Sequence, residues 1–156
     1  MCRIAPSRRV FGFKIRAERS NVLAQILFEV GEREPLRNAT RIVPVPLHPE
    51  RERERGFNQA AMLGRALARL SGHFFDEWSL IRTTHTARHR AGMDARARRE
   101  SVENAFEVRR PRLVEGERIL LIDDVYTSGA TVSACSAVLK RAGAQEVFVL
   151  TIARPI

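Results

Sequence analysis

Cysteine is scarce in this chain: Cys2 and Cys135 are the only two among 156 residues. They form no CxxC pair, so nothing in them suggests a disulfide framework or a cysteine zinc site. Cys135 falls on an apolar helical position and reads as core. Lysine is nearly missing too. Lys14 and Lys140 stand alone, so all but two of the 27 basic residues are arginine. With one Trp and one Tyr, the chain shows no aromatic pattern for stacking single-stranded bases. No apolar run approaches the roughly 20 residues of a membrane span. The segment Met1–Arg16 carries no apolar h-region of a secretory leader, which leaves the cytoplasm as the expected compartment. A Walker A loop is absent, and so is the DxD motif of haloacid-dehalogenase phosphatases.

What is present fits a folded globular protein. Apolar residues make up 44% and charged residues 29%, and the length suits one domain, expected to span residues 1–156. A chain of this size buries roughly 70% of its unfolded surface and needs no staples. The formal net charge of +9 favours anionic partners: phosphates, pyrophosphate or nucleic acid. The plainer alternative is a solvated cationic surface with no specific partner.

Periodicity places the elements. Val22, Leu23, Ile26, Leu27 and Val30 recur at helical spacing behind Ser20-Asn21, with Gly31 as a left-handed stop. Arg41–Val45 reads as a short strand limited by Pro44 and Pro46. A polar stretch runs from His48 to Gly56. Asn58 opens a second helix with Ala60, Leu63, Ala66, Leu67 and Leu70 on one face and Gly72 at its end. Phe74–Ile81 holds a weak strand, and Ala105–Val108 a further one. Between them, Thr83–Arg99 is almost wholly polar, which inside a domain marks a functional or mobile loop. The apolar run of Arg118–Ile122 reads as a strand covered on both faces. A helix over Thr131–Ala142, stopped by Gly143, and a strand over Val147–Ile152 complete a βαβ unit. The fold expected is α/β, a mostly parallel sheet flanked by helices.

The chemistry gathers after the Arg118–Ile122 strand. Asp123 and Asp124 stand at its carboxyl end, where open α/β sheets bind ligands. Thr127, Ser128, Gly129, Ala130 and Thr131 then open a helix. A helix N-terminus offers backbone N–H groups and partial positive charge to a phosphate. Gly129 lets the backbone come close to a ligand, and the three hydroxyls can donate to it. The carboxylates repel phosphate; they suit a sugar diol or the waters of a magnesium ion. A phosphate subsite beside a diol subsite describes ribose 5-phosphate. Response regulators also carry an acidic pair after a strand, but there it follows the first strand, with the phosphoryl-accepting aspartate after a later one.

The span Ile119–Thr131, ILLIDDVYTSGAT, resembles the phosphoribosyl-pyrophosphate (PRPP) motif of type I phosphoribosyltransferases. Val43–Pro49 followed by Arg51 and Arg53–Gln59 resembles the ComF family of competence-associated proteins, which share that fold. The resemblance implies a five-stranded core, a PRPP site and a flexible loop over it. It implies that the turn Pro46–Pro49 holds pyrophosphate, with Arg51 and Arg55 close by. Arginine forks suit its oxygens, although both could instead pair with the interleaved glutamates. His48 belongs to that turn and is expected to support its geometry or meet pyrophosphate rather than act as a base. The flexible loop maps onto Thr83–Arg99. There Thr84 or Thr86 matches the family's Thr, Arg90 replaces its Gln, and Ser101-Val102 replaces its Asn-Val. The cysteine-rich zinc module at the start of many members has no counterpart in this sequence.

The resemblance therefore implies a magnesium–PRPP complex with its 5-phosphate on Thr127–Thr131 and its ribose on Asp123 and Asp124. Those two carboxylates would also serve the metal and the chemistry. A nitrogen nucleophile not identified by the sequence would receive ribose 5-phosphate and release pyrophosphate. The alternative is a non-catalytic PRPP sensor, or a nucleic-acid-binding module of DNA uptake. The sequence leaves the oligomeric state open, a homodimer among the options.

Overall fold

The computed structural model describes residues 3–4, 20–83, 104–126 and 129–153. Their elements run in the order β1 (Arg3–Ile4), α1 (Ser20–Gly31), β2 (Arg41–Pro44), α2 (Pro49–Arg55), α3 (Gln59–Ser71), β3 (Phe74–Phe75), β4 (Leu80–Arg82), β5 (Phe106–Val108), β6 (Arg118–Val125), α4 (Ala130–Arg141) and β7 (Glu146–Ala153). Five strands form one sheet in the order β1-β7-β6-β2-β3, and every pairing in it is parallel. β4 and β5 form a separate antiparallel ribbon.

The near-continuous apolar runs explain why this sheet lies inside. Along β6, Ile119 and Leu121 join one buried cluster, with Val147 and Val149 of β7 and Val132, Cys135 and Leu139 of α4. Leu120 and Ile122 point the other way, into a second cluster with Phe148, Leu150, Leu27 of α1, and Leu63 and Leu67 of α3. Alternation along a strand needs an apolar layer on each face. One face is covered by α1 and α3. The other is covered by α4 and the β4–β5 ribbon, whose Leu80 and Phe106 are buried there. Cutting the wholly buried Leu121 to alanine would cost about 2–5 kcal/mol.

Four details differ from the sequence expectations. Gly31 is the last residue of α1 rather than a left-handed stop; the helix continues into a turn, where Glu32 N donates to Phe28 O. The polar stretch after His48 contains a helix, α2, which buries no residue. With no apolar face it leaves no periodic signal; its proline start and acidic-to-basic polarity are the only cues. Phe74–Ile81 is two short strands in different sheets, split by the turn at Asp76, whose carboxylate accepts from Trp78 N and Ser79 N at 3.0 Å each. Leu70, grouped with the inward face by its spacing, is exposed in the last turn of α3, where Leu67 is the last buried residue.

β2 and β6 are neighbours, but their connections leave in opposite senses. β2 leads through α2 and α3 to β3 on its far side, and β6 leads through α4 to β7 on the other. α3 and α4 lie on opposite faces, so the two chains part at the carboxyl edge. Such a switch point opens a crevice in a parallel sheet. Arg41 marks the opposite end. It is buried, paired with Asp76 at 3.6 Å and Glu117 at 3.3 Å, and set over the Phe74 ring.

Candidate functional site

The crevice has unequal walls. β2 stops at Pro44, opposite Ile122, and Val45 N makes one further bond to Ile122 O at 2.8 Å. β6 runs on, with Asp123 opposite Thr151 and Val125 opposite Ala153 of β7. Asp123 and Asp124 are therefore supported on the β7 side and open on the β2 side, where the chain turns away at Pro46. The strand reaches three residues beyond Ile122, so the acidic pair is in the strand itself rather than after it.

Alternation places Asp123 on the α4 face, in line with Ile119 and Leu121, and Asp124 on the other. A ligand meeting both must sit across the tip of the strand. Asp123 Oδ1 accepts from Asp124 N at 2.9 Å. Burial, then the neighbouring Asp124 carboxylate, push Asp123 up to about 7, since both disfavour a second negative charge in a poorly solvated place. A cation or hydroxyl donors at the tip would offset that cost. Among the described residues no group of three or more His, Cys, Asp or Glu gathers to hold a metal. A pair is nonetheless enough for magnesium, which keeps several waters and shares its shell with substrate phosphates, so the donor set fits that ion.

Past the acids, Tyr126 N donates to Ala153 O at 2.8 Å, one more rung along β7. Thr127 and Ser128 lie outside the described residues. Gly129 is buried, caps α4 at φ 75° and accepts through its carbonyl from Ser133 N at 2.9 Å. That left-handed conformation favours glycine. A Cβ there would fall 2.8 Å from Tyr126 Cζ and closer still to its hydroxyl, so any side chain there would have to displace the tyrosine ring. Ala130 and Thr131 form the first turn of α4, both partly exposed.

The turn Pro46–Pro49 lies across the crevice. Asn58, buried at the start of α3, ties it down: Nδ2 donates to Val45 O at 3.1 Å, and Oδ1 accepts from Ala60 N at 3.0 Å and Ala61 N at 3.3 Å. His48 caps α2, its Nδ1 accepting from Glu50 N at 3.3 Å. That ring nitrogen is engaged by the backbone. Arg51 is partly buried, while Arg55 is exposed and donates to Gln59 Oε1 at 3.3 Å rather than to a glutamate.

Sequence reasoning missed Arg82. It closes β4, partly buried, with its guanidinium 5.3 Å from the Phe106 ring centroid. Burial, then the nearby Arg51 cation, lower its pKa. Cys135 below is pushed well up, by burial first and Asp123 next, and Arg82 opposes that rise. Asp123, Cys135, Arg82 and Arg51 thus share one electrostatic neighbourhood on the α4 side of the crevice. An arginine ending an apolar triplet at the root of the polar loop was the available signal. Of the loop expected over Thr83–Arg99, only Thr83 is described, its N–H donating to Ala105 O at 2.9 Å; Thr84–Arg99 and Ser101-Val102 lie outside the described residues.

No family model matches the chain. Curated relatives do. DNA utilization protein YhgH of Escherichia coli (strain K12) is 32% identical over 157 residues, 98% of this chain and 68% of the relative. Competence protein ComFC of Bacillus subtilis (strain 168) is 38% identical over 114 residues, covering 72% and 44%. Of the first two relatives, both named YhgH, the chain spans 64% and 50% of the length. Among solved structures, the glutamine PRPP amidotransferase of B. subtilis, complexed with ADP and GMP, superposes with a TM-score of 0.57 at 21% identity, covering 86% of this chain and 26% of that one. At that identity the likeness is one of fold, and it agrees with the parallel sheet. On these grounds the chain belongs to the family of DNA utilization protein YhgH and the competence proteins F and ComFC, built on the type I phosphoribosyltransferase fold.

Proposed function

We propose that this chain binds magnesium–PRPP in the crevice between β2 and β6 and transfers its ribose 5-phosphate to a nitrogen nucleophile, releasing pyrophosphate. The observation that carries this reading is the convergence of three subsites at one switch point: the carboxylates of Asp123 and Asp124, the N-terminus of α4 at Gly129–Thr131, and the turn Pro46–Pro49 with Arg51 behind it. A ribose carrying phosphate at one end and pyrophosphate at the other matches that layout.

In this reading the N–H groups of the first turn of α4 hold the 5-phosphate. Thr131 adds a hydroxyl, as do Thr127 and Ser128 by sequence. Asp123 and Asp124 accept from the ribose hydroxyls and would hold magnesium through its waters. The ion, when bound, neutralises charge on the pyrophosphate oxygens. Arg51, with Arg55 and the His48 turn, receives the leaving group. The C1–O bond breaks with its electron pair going to pyrophosphate, and the nucleophile's nitrogen forms the new bond to C1 and gives up a proton. The chain's contribution is positioning and charge stabilisation. Calorimetry with magnesium–PRPP, followed by a pyrophosphate-release screen over bases and amines, tests the proposal. Wild type that binds no PRPP would overturn it.

A second reading has support of its own: the names of the relatives and the net charge of +9. In it the crevice senses PRPP without catalysis, or the basic surface meets DNA. A DNA titration at near-physiological salt, with and without magnesium–PRPP, separates the readings. Weak, steeply salt-dependent binding that PRPP displaces fits the enzyme. Tight binding indifferent to PRPP fits the nucleic-acid module.

A further inference from the structure

The two most exposed large apolar side chains among the described residues are Trp78, at 65%, and Phe74, at 62%. Both lie away from the crevice. β3 is the outermost strand of the sheet, and its Phe74 pairs with Arg41 at the start of β2, the end of the sheet opposite the acidic pair. Neither residue is exposed through looseness of the chain. Phe74 carries the Arg41 guanidinium 4.5 Å from its ring centroid, and Trp78 N is held at 3.0 Å by the buried Asp76 carboxylate. Arg109 N donates to Ser79 O at 2.8 Å. That bond carries the β4–β5 pairing one rung past Leu80 and Val108 and puts Trp78 next in register with Arg110. Arg109, Arg110 and Arg112 are all exposed, and none makes an ion pair among the described residues. The acids Glu77 and Glu117 are engaged elsewhere, by Arg65 and Arg41.

We propose that Phe74, Trp78, Arg109, Arg110 and Arg112 form a docking surface for an acidic segment of another protein, whose apolar side chains cover the two rings while its carboxylates meet the guanidinium groups. Trp, Phe and Arg are enriched where proteins meet, and rings fixed beforehand lose little freedom on binding. Charge decides between the possible occupants. A second copy of this chain brings the same net +9 and is repelled. A nucleic acid wants a continuous basic track with successive open rings. Here Glu107 and Glu115 stand exposed in the same stretch as the arginines, and Arg41 already lies over the Phe74 ring. A segment with separate carboxylates can meet the three arginines and avoid the two glutamates. Because the surface is at the far end of the sheet from the crevice, it goes beyond the PRPP reading and does not depend on it.

Trp78 is the one tryptophan in the chain, so its fluorescence reports this surface alone. The full chain is titrated near physiological salt with a short peptide alternating glutamate and leucine, with one alternating lysine and leucine, and with a single-stranded thymidine oligonucleotide. The expected result is a blue shift of the emission with the glutamate peptide only, as water leaves the indole. Arg109→Ala combined with Arg110→Ala and Arg112→Ala should weaken that binding roughly 10-fold or more, with the melting temperature unchanged because all three side chains are exposed. Full affinity in the triple variant overturns the proposal, and so does an emission that the glutamate peptide leaves unmoved. Equal binding of the two peptides also overturns it, since the rings alone would then be responsible. A stronger response to the oligonucleotide than to the glutamate peptide assigns the surface to nucleic acid instead, and an emission that shifts with protein concentration alone assigns it to a second copy.

Discussion

Replacing Asp123 by asparagine is expected to move fold stability and ligand affinity in opposite directions. Burial and Asp124 lift this carboxyl from 3.8 to about 7. The folded protein therefore holds the proton more tightly than the unfolded chain does. The stability from that preference is fully present below about pH 4 and is lost as pH rises through about 7, reaching an upper bound of about 4 kcal/mol. Asparagine stays neutral throughout, and its side-chain oxygen can still accept from Asp124 N, as Asp123 Oδ1 does at 2.9 Å. Asp123→Asn should thus be more stable than wild type at about pH 8, by up to the same 4 kcal/mol, and the gap should close toward about pH 4. For a chain of this size that bound corresponds to roughly 8–16 °C in melting temperature. The same change removes a ligand for ribose or magnesium, so PRPP affinity should fall by about 10-fold or more. Denaturant unfolding of both proteins across this pH range, with calorimetry at the upper end, makes the measurement. A variant less stable than wild type at about pH 8, or a gap indifferent to pH, would refute the reasoning about the buried carboxyl.

Other perturbations separate the remaining parts. Arg51→Ala should weaken magnesium–PRPP binding by about 10-fold or more and leave ribose 5-phosphate binding unchanged; Arg55→Ala, at an exposed residue bonded to Gln59, should weaken magnesium–PRPP binding by a smaller factor, and equal losses for the two variants would count against the placement of Arg51. Asn58→Ala should cost about 2–3 kcal/mol in denaturant unfolding, since it strips a helix cap and leaves the Val45 carbonyl unsatisfied. Gly129→Ala should destabilise by about 1–3 kcal/mol from its left-handed backbone, with an added cost from Tyr126 that a Tyr126→Ala background should remove; equal costs in both backgrounds would show that the ring gives way freely.

The sequence by itself determined the parts that local pattern encodes. Continuous apolar runs at 119–122 and 147–152 specified strands covered on both faces, and helical spacing after Asn58 and Thr131 specified α3 and α4. The acids and the glycine loop stand next to one another in the chain, so their order already described a phosphate beside a diol. Tertiary structure decided what distance in sequence hides. The parallel pairing of β2 with β6 brings the turn at His48 and Arg51 to Asp123, more than 70 residues on. The unequal strand lengths decide that Asp123 is half-buried, and burial next to Asp124 is what raises its pKa. α2 escaped detection because a helix that buries nothing has no apolar period to read. Arg82 escaped because its meaning lies in Arg51 and Cys135, which only packing brings near. Gly129 was legible as a point where the backbone comes close to a ligand, but only folding lays the Tyr126 phenol where a Cβ at that position would stand.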